Sequence, residues 1–303
     1  MVRPFVAALV AAFVAVVPLV SQAAKVPADW ADRAVAGDYP IHYDGPLVSH
    51  GDPLVGPDGL PVFDVTYHGG PIQPTTTSYT IFWRPSGTVM SPKYATLMDR
   101  YLSDAGGSGI YGMATVYNGS NGYVQNQSTF GGTWTDTTPY PKPLTARDLR
   151  EEIATAIKAN GWPTGLTSQF FLFTAKGAIK AVNYCAYHSY FNLNGNKNDP
   201  VVYAFVPYVG YENGCDPPYG ISPNDDVASD GSIESVEHEQ MEAVTDPLLN
   251  AWYDPHWGEI GDICIFGFGV PTGKNGANAA LNRHPYFLQE LWSQPMQGCQ
   301  PSL

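Results

Sequence analysis

Apolar positions along the chain switch between two periods, and the switches predict the elements. Tyr79-Thr-Ile-Phe-Trp83 is an aromatic, β-branched run of strand length. From Ser91 the period lengthens. Tyr94, Leu97, Met98, Tyr101 and Leu102 recur at three- and four-residue steps, which predicts a helix capped by Ser91, with Pro92 at its first position and Gly106-Gly107 as its stop. Residues 111–134 are rich in Tyr, Thr, Val and Gly and contain Asn-Gly at 118–119 and 121–122, so hairpins are expected there. Thr145 with Asp148 reads as a capping box. The helix it opens carries Leu149, Ile153, Ala156 and Ile157 on one side and ends at Asn160-Gly161. Gln169–Thr174 and Val201–Tyr208 are short apolar runs of strand length, and Tyr184–Tyr190 is a further strand. A third helix is predicted over about 231–244, ended by Pro247, and a last one from His284.

This alternation predicts an α+β fold with a mixed β-sheet and about four helices in one domain, residues 63–303. Two segments stand outside it. Residues 1–23 read as a signal peptide: Arg3, an apolar run from Phe5 to Val20, then the small residues Ser21 and Ala23. A membrane anchor is the competing reading, but the run is about 16 residues against the roughly 20 a span needs. Residues 24–62 are a Pro/Gly-rich arm or a pro-segment, and composition does not choose between them.

Composition narrows the class. At 44% hydrophobic and 13% aromatic the chain is not disordered, and with 15 Lys+Arg against 28 Asp+Glu it is not built to contact phosphates. A secreted protein without nucleic-acid partners, and without a membrane segment once mature, is the expectation. Cys185, Cys215, Cys264 and Cys299 are an even set, which in an exported chain favours two disulfides. Of the three pairings, Cys185–Cys215 with Cys264–Cys299 closes loops of moderate length. Zinc-thiolate binding is weak without a C-x-x-C pair.

The acids are unevenly spread. Eleven of the 28 lie between Asp225 and Asp262, with no Lys or Arg among them. Within that window the third helix reads His238-Glu-Gln-Met-Glu242, an H-E-x-x-E string. His238 and Glu242, four apart, share one face. In H-E-x-x-H hydrolases the first and last positions bind zinc and the Glu beside the first polarises the attacking water. Glu is also a legal zinc ligand, so His238 and Glu242 are candidate ligands and Glu239 the candidate general base. A solvated Glu face produces the same string by accident. Trp257-Gly-Glu-Ile-Gly-Asp-Ile-Cys264 supplies what the string lacks. Glu259 is the first candidate for a third ligand. Asp262 either accepts from the His238 imidazole N–H or exchanges roles with Glu259. A calcium-binding or hydrogen-bonded loop is the competing reading of this pair.

Thr66-Tyr-His-Gly-Gly-Pro-Ile72, the strand ending Phe82-Trp83 and the following helix resemble the start of the phosphate-induced protein 1 (Exordium-like) family. Asp230-Gly-Ser-Ile233, Thr245-Asp-Pro247, Asn250-Ala-Trp-Tyr253 and Glu259-Ile-Gly-Asp-Ile-Cys264 resemble its C-terminal part. The chain resembles a microbial branch of that family that keeps a zincin-like H-E-x-x-E motif. Plant members are extracellular, and many lack the His-Glu pair. The element order also looks like a zincin, but the usual E-x-x-x-D on a second helix is here E-x-x-D, with Pro255 and Gly258 arguing for a loop.

Other histidines are weighed as structural first. His188 beside Cys185 is read as a hydrogen-bonded core residue ahead of a ligand, His68 as part of a turn, and His284 as a surface residue, while His256 lies where it could approach a metal. Tyr253 is read as packing ahead of oxyanion stabilisation. Together these readings predict a secreted zinc metallopeptidase with one zinc ion and a peptide or protein substrate. The alternative is a non-catalytic, wall-associated protein whose acidic cluster is structural or binds calcium.

Overall fold

The computed structural model describes residue 63 and residues 65–179, 184–208 and 215–303. The predicted signal peptide and the predicted arm both lie outside them.

In chain order the elements are β1 (Thr66–Tyr67), β2 (Thr76–Trp83), α1 (Tyr94–Asp104), α2 (Gly109–Gly112), β3 (Asn118–Gly119), β4 (Gly122–Tyr123), β5 (Ser128–Asp136), α3 (Ala146–Asn160), β6 (Ser168–Thr174), β7 (Tyr187–Asn192), β8 (Pro200–Pro207), α4 (Val227–Thr245), β9 (Trp252–Tyr253), β10 (Ala279–Leu281), β11 (His284–Tyr286), β12 (Leu291–Ser293) and β13 (Gly298–Gln300). The fold is α+β. Its centre is a five-stranded mixed sheet in the order β5-β2-β6-β8-β7. The first four strands run parallel, and β7 closes one edge antiparallel to β8.

Parallel strands are covered on both faces, which is why β6 and β8 are continuous buried runs rather than alternating ones. Alternate side chains feed two cores. Phe171, Phe173, Ala204 and Val206 pack with α1 and α4 through Tyr94, Met98, Tyr101, Ile233, Val236 and Met241. On the opposite face Phe170, Leu172, Tyr203 and Phe205 pack against Leu149, Ile153 and Ala156 of α3.

Several expectations take their observed form here. The Thr145–Asp148 capping box is present, and Gly161 ends α3 at φ 64, the left-handed cap that glycine adopts without strain. Both disulfides have the expected pairing. The Asn-Gly pairs build one small hairpin, β3–β4, while residues 128–136 join the main sheet as a parallel strand. Ser91 and Pro92 precede α1 in a turn, with Lys93 at the cap.

One predicted element is replaced. His284 opens a strand, not a helix: β11 folds back on β10 through Asn282 and Arg283, both at positive φ. The Asp104 carboxylate takes His284 Nδ1 at 2.6 Å and the Tyr286 hydroxyl at 2.7 Å, which ties this hairpin to α1. Among the described residues no helix is long and apolar enough to cross a membrane.

Candidate metal centre

The site is organised around α4. Asp226 caps its start by accepting from Ser229 N at 3.1 Å. Asp230, in the first turn, is buried rather than solvated and accepts from Ser222, Asn224 N and Asn224 Nδ2. The accidental reading of H-E-x-x-E needs a solvated face, and α4 does not have one there. Glu237, Glu239 and Glu242 are 0%, 5% and 3% exposed. Buried carboxylates demand partners or a cation, so their presence needs a chemical reason.

The chain after α4 returns beneath it. Pro247 stops the helix, and Asp246 accepts from Asn250 N (2.6 Å) and Ala251 N (2.7 Å), which steers the backbone into β9 and its pairing with β1. Asp254 accepts from His256 N and Trp257 N and closes a turn with Gly258, whose φ of 91° suits glycine. Residues 259–262 then pass directly under His238 and Glu242. Gly261 is required by this approach, since a Cβ there would lie 2.8 Å from His238 Nδ1 and 2.9 Å from Glu242 Oε1. The Cys264–Cys299 disulfide and the bond from Trp292 N to Ile260 O (2.9 Å) hold the segment in place.

Two groups of ligand atoms result. On one side, His238 Nε2 lies 3.1 Å from Glu242 Oε1 and 3.4 Å from Asp262 Oδ1. Glu242 Oε1 also accepts from Gly261 N and Asp262 N. On the other side, His188 Nδ1 lies 3.3 Å from Glu239 Oε2 and 3.6 Å from Glu242 Oε2. His188 Nε2 is 3.3 Å from the Asp246 carbonyl oxygen and 3.6 Å from Glu259 Oε2. Each trio, His238–Glu242–Asp262 and His188–Glu239–Glu242, offers ligand atoms within 4.8 Å of one another. The side chains of His238 and Asp262 are 13% and 18% exposed, against 2% for His188, so solvent reaches the site from the His238 side.

Electrostatics follow from this crowding. Burial pushes the Glu242 carboxyl up, but the two imidazoles and their hydrogen bonds outweigh it and bring it down to about 2. Burial raises Glu239, only partly offset by His188 and His238. Burial also raises Glu259 well above the carboxylate range; His188 opposes this, while Glu242, Asp246 and Asp262 add to it. Asp262 is raised by burial and by Glu242. Burial works against charging either imidazole, yet the carboxylates, Glu259 first for His188 and Glu242 first for His238, hold both well above the usual range. The cluster is short of positive charge and draws protons to itself.

A divalent cation fits this donor set. Imidazole nitrogen with carboxylate oxygen suits zinc and harder divalent ions. Glu259 Oε1 is buried without a hydrogen-bond partner, as is Gln289 Oε1. Gln289 Nε2 donates to Gly261 O at 2.7 Å and lies 3.3 Å from His238 Nδ1, so Gln289 sets the orientation of that ring from behind.

Of the residues singled out from sequence, His238, Glu242 and Asp262 come together, and Glu239 sits beside them. Glu259 lies across His188 instead. His188, read from sequence as structural, stands at the centre of the cluster. It comes from edge strand β7, and its only linear signal was proximity to Cys185. Gln289, from the segment before β12, carried none. His256 pairs with Asp254, and His284 with Asp104. His68 stacks on Tyr253 at 3.7 Å and 8°. The Tyr253 phenol is pushed up by burial and then by Asp246 and Glu259, which places it at the rim of the cluster.

No family model matches the chain. Two curated Arabidopsis thaliana proteins are similar to it. Protein EXORDIUM-like 3 is 37% identical over 94 residues, 26% of this chain and 28% of that protein. Protein EXORDIUM-like 5 is 23% identical over 277 residues, 77% of this chain and 76% of that protein. The chain thus has Exordium-like homologues at low identity over most of its length, and it spans under a third of the first of them.

Proposed function

We propose that the chain is a secreted, zinc-dependent hydrolase of peptide bonds, from a branch of Exordium-like proteins that carries H-E-x-x-E in a zincin-like setting. The observation that carries this reading is the convergence of His238 Nε2, Glu242 Oε1 and Asp262 Oδ1 within 3.1–3.4 Å of the imidazole nitrogen, on the side that solvent reaches. These three residues hold the cation, and Glu259 lies across His188. The two disulfides fit export, as does the sequence of residues 1–23.

When bound, the cation supplies a Lewis acid that polarises a carbonyl and lowers the pKa of a water. The protein does the rest. His238 and Glu242 are aligned by one turn of α4, and Gln289 holds the imidazole from behind. Glu239 is the general base; His188, 3.3 Å away, fixes its carboxylate, and burial raises its proton affinity. The substrate enters from the His238–Asp262 side.

The depth of His188 and Glu259 favours a second reading, in which the cluster holds a structural zinc or calcium ion and does no chemistry. One experiment separates the two. The secreted chain is purified, its metal measured by elemental analysis, and casein or peptide cleavage compared for wild type and Glu239→Gln. The hydrolase reading expects stoichiometric zinc in both, with activity at least about 100-fold lower in the variant. Zinc or calcium with no cleavage in either protein favours the structural reading. A folded, metal-free wild type sinks the hydrolase.

A further inference from the structure

We infer a second cation position on the far side of Glu242, held by His188 Nδ1, Glu239 Oε2 and Glu242 Oε2, so that the centre takes two divalent ions bridged by the Glu242 carboxylate. The inference rests on the reading of His238, Glu242 and Asp262 as the first position.

Glu242 points its two oxygens at different imidazoles. Oε1 lies 3.1 Å from His238 Nε2 and Oε2 lies 3.6 Å from His188 Nδ1. The two trios share this residue alone, and each is compact enough for one ion. A carboxylate between two such sets is the usual bridge of paired-metal centres, whose ions lie roughly 3.5–4 Å apart.

The tautomer of His188 is the second line of argument. Its Nε2 faces the Asp246 carbonyl oxygen at 3.3 Å, an atom that can only accept, so Nε2 carries the proton. Its Nδ1 then faces two carboxylate oxygens, at 3.3 and 3.6 Å. That position takes either a proton or a cation, and a divalent ion displaces the proton. An imidazole that donates its far N–H to a backbone carbonyl is the common arrangement of a metal-ligating histidine.

Glu259 encloses the ring from its other edge: it is 2% exposed and its Oε2 lies 3.6 Å from His188 Nε2. Charge agrees. Glu237 joins Glu239, Glu242, Asp246, Glu259 and Asp262 among the buried or half-buried acids around the two imidazoles, and residues 225–262 hold no Lys or Arg.

The test is stoichiometry rather than activity. The full chain is stripped with chelator, reloaded with Zn2+ or Mn2+, freed of excess metal by gel filtration and analysed for bound metal. Two equivalents are expected in wild type and one in His188→Gln, with folding of the variant checked by circular dichroism. In the Mn2+ form, electron paramagnetic resonance should show a spin-coupled pair, a measurement on wild type that stands if the variant does not fold. One equivalent in wild type, or an isolated Mn2+ signal, overturns the second position and leaves the single-ion reading intact. Two equivalents in both proteins also overturn it, since the second ion would then lie elsewhere. No bound metal overturns both readings.

Discussion

Gly261 shows how one residue sets the geometry of the centre. Its missing side chain lets the 259–262 segment pass within bonding distance of α4, so that Gly261 N and Asp262 N reach Glu242 Oε1 at 3.2 and 3.1 Å. Gly261→Ala would place a methyl 2.8 Å from His238 Nδ1 and 2.9 Å from Glu242 Oε1, so these ligand side chains must shift. The expected outcome is a loss of about 1–3 kcal/mol of stability together with a fall in zinc affinity of at least about tenfold. Denaturant unfolding and metal titration would read both. Unchanged affinity would mean that this segment does not border the ion. Gln289 works at the same scale. Gln289→Leu removes the group behind His238 Nδ1 and should lower metal affinity roughly 10–100-fold, as loss of such supports does elsewhere. Circular dichroism should show the fold intact.

Elements turn these residues into a site, and the strongest element was legible in sequence. The capping box of α3, the apolar runs of β6 and β8 and the stop of the His238 helix at Pro247 are local signals, which is why they can be read along the chain. β11 was misread because His284-Pro-Tyr286 has no clear period; its hairpin depends on positive-φ residues and on Asp104, 180 residues away. Between α3 and the end of β5, buried Glu152 faces half-buried Asp136, with a testable consequence. Burial, then the charge of Asp136, pushes the Glu152 carboxyl up from 4.5 to about 8. The native state therefore keeps a proton between about pH 4.5 and 8 that the unfolded chain has lost, so this group's contribution falls as pH rises through that window. After allowance for solvent screening the slope is no more than about 1 kcal/mol per pH unit. Glu152→Gln should remove it. Urea unfolding of both proteins at pH 5 and pH 8 gives the difference, and parallel pH profiles would refute the assignment.

At the scale of the whole molecule, two disulfides and one sheet bring four distant stretches to a single point. The Cys264–Cys299 bridge closes a separation of 35 residues, a constraint of about 4 kcal/mol on the unfolded chain, and it anchors the loop that carries Asp262. Cys264→Ser with Cys299→Ser should cost a large part of that stability. It should also weaken zinc binding more than Cys185→Ser with Cys215→Ser does, a comparison that thermal melts and metal titration can make. The sequence alone determined what is local or pairwise. It carried the α+β pattern, the even set of four cysteines, the helix with His238 and Glu242 one turn apart and Glu239 beside His238, and the acidic loop that follows. Helical periodicity and composition encode these without reference to the rest of the chain. Only the tertiary structure decided that the H-E-x-x-E face is buried, that Asp262 rather than Glu259 joins His238, and that His188 enters from an edge strand. These facts depend on the order of strands in the sheet and on the path of the return loop beneath α4. Long-range packing sets both, and no pattern of neighbouring residues records them.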